Sequence, residues 1–224
     1  MLVTILAVTK AFDRFCIAGL TEDGSWVRPI PTEQKNQGNP EARFWTREQL
    51  MFGGEFIEPG DVWEIEGYSP TKFLHQNHVE DFVVTKYRYI KTKDNAQVMR
   101  FLGRYKEENK AFIDTLYGKG RSICLVKVRQ FSTEIFEWNG EKSPKIYLYG
   151  SDFNLNNPHV KYANYKLKDC RWAGLIMQNY SVPHFDEIYA TIGLATSFRG
   201  TEYPQVIGLH TSPQAPYPDS YPDE

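Results

Sequence analysis

Apolar residues in this chain fall into short runs separated by glycine, proline and acidic turns, a pattern of strands rather than of long helices. The first run, MLVTILAV, has no basic segment ahead of it and no small-residue cleavage site behind it, so it predicts a buried first strand rather than a secretory leader. Runs at 15–20 and 26–30 flank the turn Glu22-Asp23-Gly24 and predict a hairpin whose second arm ends at Pro29. Two more runs lie at 61–68 and 81–90. The period then changes: Asp94 and Gln97 match an N-cap with its capping-box partner, and Val98, Phe101, Leu102, Tyr105, Phe112, Ile113 and Leu116 follow at helical spacing until Gly118 and Gly120. Strand-like runs resume at 122–131, 135–138, 145–149, 162–167, 171–178, 189–198 and 206–210.

This order predicts a mostly β chain with a central helical segment, an α+β arrangement of two small barrels of about five strands each. The first barrel would occupy residues 1–93, a helical connector 94–120, and the second barrel 121–211. A single long sandwich with a helical insertion is the alternative. Gly19, Gly174, Gly193 and Gly208 each precede a leucine inside an apolar run, where glycine marks a bulge or sharp bend, and they support curved strands. The segment 32–44 reads as a long exposed loop. Residues 212–224, with four prolines and three acids in thirteen positions, read as a flexible acidic tail.

Composition narrows the function classes. No run approaches the roughly 18 apolar residues of a membrane span. The three cysteines, Cys16, Cys124 and Cys170, are odd in number and far apart, which favours buried free thiols and a reducing, cytoplasmic setting. A net charge of −2 conceals an asymmetry: residues 1–85 balance to −6, residues 86–129 to +8 and residues 130–224 to −4. A cationic centre favours a polyanionic partner, since each phosphate neutralised releases a counterion. The competing reading is a solvated helix surface.

The strand KYRYIKTK places Lys86 and Arg88 on one face and Tyr87 and Tyr89 on the other. Arg100 and Arg104 fall away from the apolar stripe of the following helix. With Trp26 and Arg28 on the hairpin, and Arg171 with Trp172 later, these residues form the candidate nucleic-acid-binding set, rings for stacking and cations for phosphates. The cluster HQNHVED contains His75, His78, Glu80 and Asp81, residue types suited to a metal or an acid/base pair. Its spacing fits no compact metal signature, so a structural role is preferred, with Asp81 pairing Arg28; Asp61 is a second candidate partner. No phosphate-cradling glycine loop, nucleophile elbow or Cys-His pairing is present, which weighs against an enzyme, and no cofactor is expected.

The strings RFCIAGLTEDGSWVRPIP, IEPGDVWEIEG, NHVEDF and TIGLATSF followed by YPQVIGLH resemble the dual OB-containing domain family of bacteria and archaea. The resemblance covers about residues 1–210. It implies two tandem OB-like barrels, a family without an established activity, and recurrent residues at Arg28, Pro29, Gly60, Asp61, His78, Glu80 and Asp81. It also implies an association with gene systems that handle foreign nucleic acid. The leading expectation is therefore a non-catalytic module for single-stranded or structured RNA or DNA. A protein-interaction scaffold in a multi-component system, and a nucleotide- or metal-dependent sensor at the His75 to Asp81 corner, are the alternatives.

Overall fold

The computed structural model of the chain describes residues 1–31, 40–71, 76–108, 115, 120–149, 163–195 and 202–223. In chain order the first half contains β1 (Leu2–Ala11), β2 (Arg14–Thr21), β3 (Trp26–Ile30), a small hairpin of β4 (Met51–Phe52) and β5 (Glu55–Phe56), then β6 (Asp61–Tyr68) and β7 (Asp81–Thr92). Strands β1, β2, β3, β7 and β6 close into a barrel in that order. Only β3 and β7 run parallel within it, with Arg28 opposite Asp81. This is a five-stranded barrel of OB type.

Helix α1 (Asn95–Tyr105) leads into β8 (Ile123–Val128), β9 (Gln130–Trp138), β10 (Glu141–Tyr149), β11 (Ala163–Leu167), helix α2 (Cys170–Met177), β12 (Glu187–Leu194) and β13 (Pro204–Ser212). The second sheet runs β8-β12-β13-β11-β10-β9. Its two edges, β8 and β9, are separated only by Arg129, so they act as halves of one strand and the sheet curls back on itself. The parallel pair β11–β13 repeats the role of β3–β7. Two OB-like barrels in tandem, with little helix, are therefore present.

β1 is buried on both faces for a reason visible in its register. The pairing with β2 shifts between Ile5 and Ala7, leaving Leu6 as an extra residue. Val3, Ile5 and Val8 fill the first barrel, whereas Leu6 packs outward against α1. The Leu6 carbonyl accepts a hydrogen bond from His210 Nε2 of β13 at 2.9 Å. Gly208 permits this approach, because a Cβ there would lie 2.3 Å from the Leu6 carbonyl oxygen. Helix α1 closes the seam: Val98, Met99, Phe101 and Leu102 pack with Leu6 and Leu20 of the first barrel and with Leu125 and Tyr189 of the second. Each such burial contributes about 1.5–3 kcal/mol. The capping box at its start is formed, Asp94 Oδ1 accepting from Gln97 N at 2.8 Å and Gln97 Oε1 from Asp94 N at 3.1 Å. Phe112, Ile113 and Leu116 lie outside the described residues.

Two expectations are corrected. The run 171–178 is the helix α2, not a strand: Asp169 caps it through Trp172 N at 3.0 Å, and Trp172, Leu175 and Ile176 then bury one side at helical spacing in the second core. Gly174 accordingly marks no strand bend; it admits Pro218, whose Cγ would lie 2.7 Å from a Cβ. The tail is not a free extension. Ala215 enters the second core, Tyr221 packs against the first, and Asp223 pairs with Arg47, so the apolar area of its alanine, prolines and tyrosines straps both barrels. Among the described residues no helix is long and apolar enough to cross a membrane.

His210 gives the seam a pH dependence. Burial, with Arg171 adding to it, pushes its imidazole down to about 3. A base whose folded value lies below its unfolded one takes up protons preferentially in the unfolded chain, so its contribution is complete above about pH 6.5 and declines as pH falls towards 3. His210→Gln removes that titration. The stability difference between wild type and His210→Gln at pH 7, measured by urea unfolding, is expected to shift against wild type by about 2 kcal/mol at pH 5. An unchanged difference would contradict the assignment.

Candidate functional site

The parallel pairing of β3 with β7 brings Arg28 and Asp81 side by side, with both side chains buried and Arg28 Nη1 2.8 Å from Asp81 Oδ1. Arg43 joins from the opposite side, its Nη2 3.0 Å from Asp81 Oδ2 and 3.4 Å from His78 Nδ1. Two guanidiniums thus share one carboxylate. Burial pushes the Arg43 guanidinium down from its ordinary value, with Asp81 opposing the shift and Arg28 adding to it. Arg28 Nη2 continues to Ser122 Oγ at 2.8 Å, at the entrance to the second barrel.

Glu80 completes the join. Its carboxylate accepts from Ser122 Oγ at 2.7 Å and from the backbone N–H of Ser122 and Ile123 at 2.9 and 3.2 Å. A carboxylate of the first barrel therefore satisfies the first backbone donors of β8, which otherwise would be buried without partners. His78 lies 3.6 Å from Glu202, and Asn77 bonds both Glu202 and Gly120 N. Asn77, His78 and Glu80 of the HQNHVED corner thus bridge to Gly120, Ser122, Ile123 and Glu202 of the second half. Among the described residues no group of His, Cys, Asp and Glu is arranged to hold a metal ion; His75 lies outside them.

Asp61 does not pair Arg28. It is buried in its own turn, accepting from Glu58 N at 3.0 Å and from Thr92 Oγ1, and burial pushes its carboxyl up. Burial raises the thiols of Cys16 and Cys170 and pushes that of Cys124 up to about 12, which disfavours the thiolate.

The nucleic-acid candidates divide. Trp172 is fully buried and donates Nε1–H to the Leu209 carbonyl at 2.7 Å, and buried Arg171 donates to the same oxygen at 2.8 Å. Both are withdrawn from any ligand face, because the segment that carries them is a helix packed into the second core. Trp26 is partly buried in the seam and gives Nε1–H to Glu107. Tyr87 points into the first barrel, stacked on Trp63 with centroids 5.2 Å apart, while Tyr89 is exposed beside Phe52. Lys86 and Arg88 face solvent at 77% and 72% exposure, but each lies across from a glutamate of β6, Glu66 and Glu64. That face of β7 is a mixed-charge ladder. Arg100 and Arg104 of α1 are exposed, one turn apart, with no carboxylate in ion-pair reach among the described residues.

A family model described as a dual OB-containing domain matches residues 1–209. The chain belongs to this family. No curated protein and no solved structure matches it. In this dual OB-containing chain the sequence pattern pointed to Arg28, Glu80 and Asp81, and missed Arg43 and Ser122, which stand in a polar loop and at a strand entrance. Nothing local in the sequence marks either, because their partners Asp81 and Glu80 lie about 40 residues away in the chain. Asp81→Asn leaves Arg28 and Arg43 together in the seam without their anion and is expected to cost about 3 kcal/mol or more in urea unfolding. A loss under about 1 kcal/mol would show that Asp81 does not hold the pair.

Proposed function

We propose that this dual OB-containing chain is a non-catalytic module for single-stranded or structured nucleic acid, contacting it through the outward face of α1 and the adjoining end of β7. The observation that carries this reading is the unmatched charge of α1: Arg100 and Arg104, with Lys91 and Lys106 to either side, are exposed and lack acidic partners among the described residues. They are the part of the cationic central block that remains available, whereas Lys86 and Arg88 are already matched by Glu66 and Glu64. Exposed Tyr89 on β7 supplies a ring for stacking, which contributes about 1–3 kcal/mol per base at such sites. Three unpaired thiols, all held protonated by burial, suit a reducing cytoplasm.

A protein-interaction scaffold is the second reading, favoured by the β9–β10 hairpin. Its Asn139-Gly140 turn, with φ of 52° and 80°, presents Ile135, Phe136 and Trp138 to solvent, Trp138 at 68% exposure.

The test is fluorescence anisotropy of labelled single-stranded RNA, single-stranded DNA and duplex DNA across a salt series. Arg100→Ala with Arg104→Ala is expected to weaken single-strand binding about tenfold or more and to reduce the salt slope by about 1.4, two contacts at roughly 0.7 each. Lys86→Ala with Arg88→Ala is expected to change affinity by less than about threefold, since those cations are already paired. Absence of binding at low salt would overturn the reading and favour the scaffold.

A further inference from the structure

Between the barrels lies a cavity of about 240 Å³ whose lining includes none of the α1 or β7 residues just described. Its cations come from both sides: Lys10, Arg28 and Arg43 from the first barrel and Lys168 from the second. Arg28 is committed to Asp81 and Ser122. Arg43 is only 4% exposed, yet its Nη1 has no hydrogen-bond partner among the described residues. A buried guanidinium nitrogen without an acceptor is a place for an anion to complete. Lys168 has no carboxylate in ion-pair reach among the described residues, and burial, with Lys166 adding to it, pushes its ammonium down. Lys10 Nζ meets the backbone carbonyl of Asp223 at 2.7 Å and has no carboxylate in ion-pair reach among the described residues. Asp81, shared between two guanidiniums, does not balance the site.

Two of the residues that line the cavity, Phe12 and Phe44, are aromatic. Phe12 stands in the two-residue loop that joins Ala11 to its β-partner Arg14, with φ of 58°, a left-handed conformation that favours glycine. Phe12 is 66% exposed and its ring lies 6.1 Å from that of Phe44, over which the Arg43 guanidinium sits at 5.6 Å. A bulky residue held in a glycine conformation and mostly in solvent gains little packing beyond its contact with Phe44. Such violations of local preference mark ligand contacts more readily than core positions.

We propose that this cavity binds a nucleoside monophosphate group, with the phosphate against Arg43 Nη1, Lys168 and Lys10 and the planar base on Phe12 and Phe44. The volume lies just under the usual range of small-molecule pockets, about 300–1,000 Å³, which admits at most one nucleotide and excludes a strand. The group could arrive as a free mononucleotide or as the phosphorylated end of a strand. The site is separate from the α1 face and does not rest on it.

Calorimetric titration of the full chain with AMP, GMP, CMP and UMP, with adenosine and inorganic phosphate as references, tests the proposal, together with anisotropy of 5′-phosphorylated against 5′-hydroxyl oligonucleotides. At least one phosphate-bearing ligand is expected to bind saturably, about tenfold or more tighter than its phosphate-free counterpart. Phe12→Gly and Lys168→Met are each expected to weaken that binding by about tenfold or more. Phe12→Gly relieves the positive φ, so an unchanged or raised melting temperature separates lost binding from lost folding. Tight mononucleotide binding with no preference for phosphorylated ends identifies the free ligand; a preference abolished by both substitutions identifies the strand end. Binding of 5′-hydroxyl strands is expected to be unaffected by either substitution, which keeps this site distinct from the α1 face. Failure of every phosphate-bearing ligand to bind, or binding that survives both substitutions, overturns the proposal.

Discussion

Adjacent carboxylates, Glu80 and Asp81, join the two halves of this protein. Asp81 bridges Arg28 and Arg43 at the edge of the first barrel, and Glu80 reaches out to the N–H groups that begin the second. Buried ion pairs are weak sources of net stability, because desolvation offsets most of their attraction. What they supply here is geometry. The start of β8 is held against the end of the loop that precedes β7, and the apolar seam of Leu6, α1 and Tyr189 then closes in one arrangement.

That arrangement determines which surfaces remain for ligands. Packing β13 on β1, with Gly208 against the Leu6 carbonyl, covers one side of the first barrel and leaves a cationic cavity where the coverage is incomplete. The outward face of α1 stays in solvent because its other face is occupied on both sides. The strap of the tail, anchored through Ala215, Tyr221 and Asp223, spans both cores and adds Lys10 and Arg47 to its contacts. Each barrel alone would expose half of the α1 stripe and leave Glu80 or Ser122 without its partner.

Much of this was legible in the sequence where the signals are local. The capping box of α1, the hairpin turn after β2, and the alternation that puts Lys86 and Tyr87 on opposite faces of β7 all depend on neighbours a few residues away. The identity of α2 was not, because a short apolar run such as CRWAGLIM suits a strand or a helix equally by length and periodicity, and only the Asp169 cap and the surrounding core decide. The neutralisation of Lys86 and Arg88 depends on a register of β6 against β7 that shifts twice, so Glu64 and Glu66 could not be placed opposite them beforehand. The same holds for Arg43 and Ser122, brought to Asp81 and Glu80 by the closure of the first barrel and its join to the second. The tail was misread because its acidic, proline-rich composition resembles that of free segments, while its tyrosines and prolines find apolar surface on both barrels.

The central claim is that the two barrels form one cooperative unit through the Glu80–Ser122 join and the α1 seam. Differential scanning calorimetry of the full chain, read beside the far-UV spectrum of a 1–93 fragment, tests it most directly. The account predicts a single transition whose calorimetric and van't Hoff enthalpies agree, and a fragment that does not fold. Two resolved transitions, with a folded fragment melting at the temperature of one of them, would contradict it.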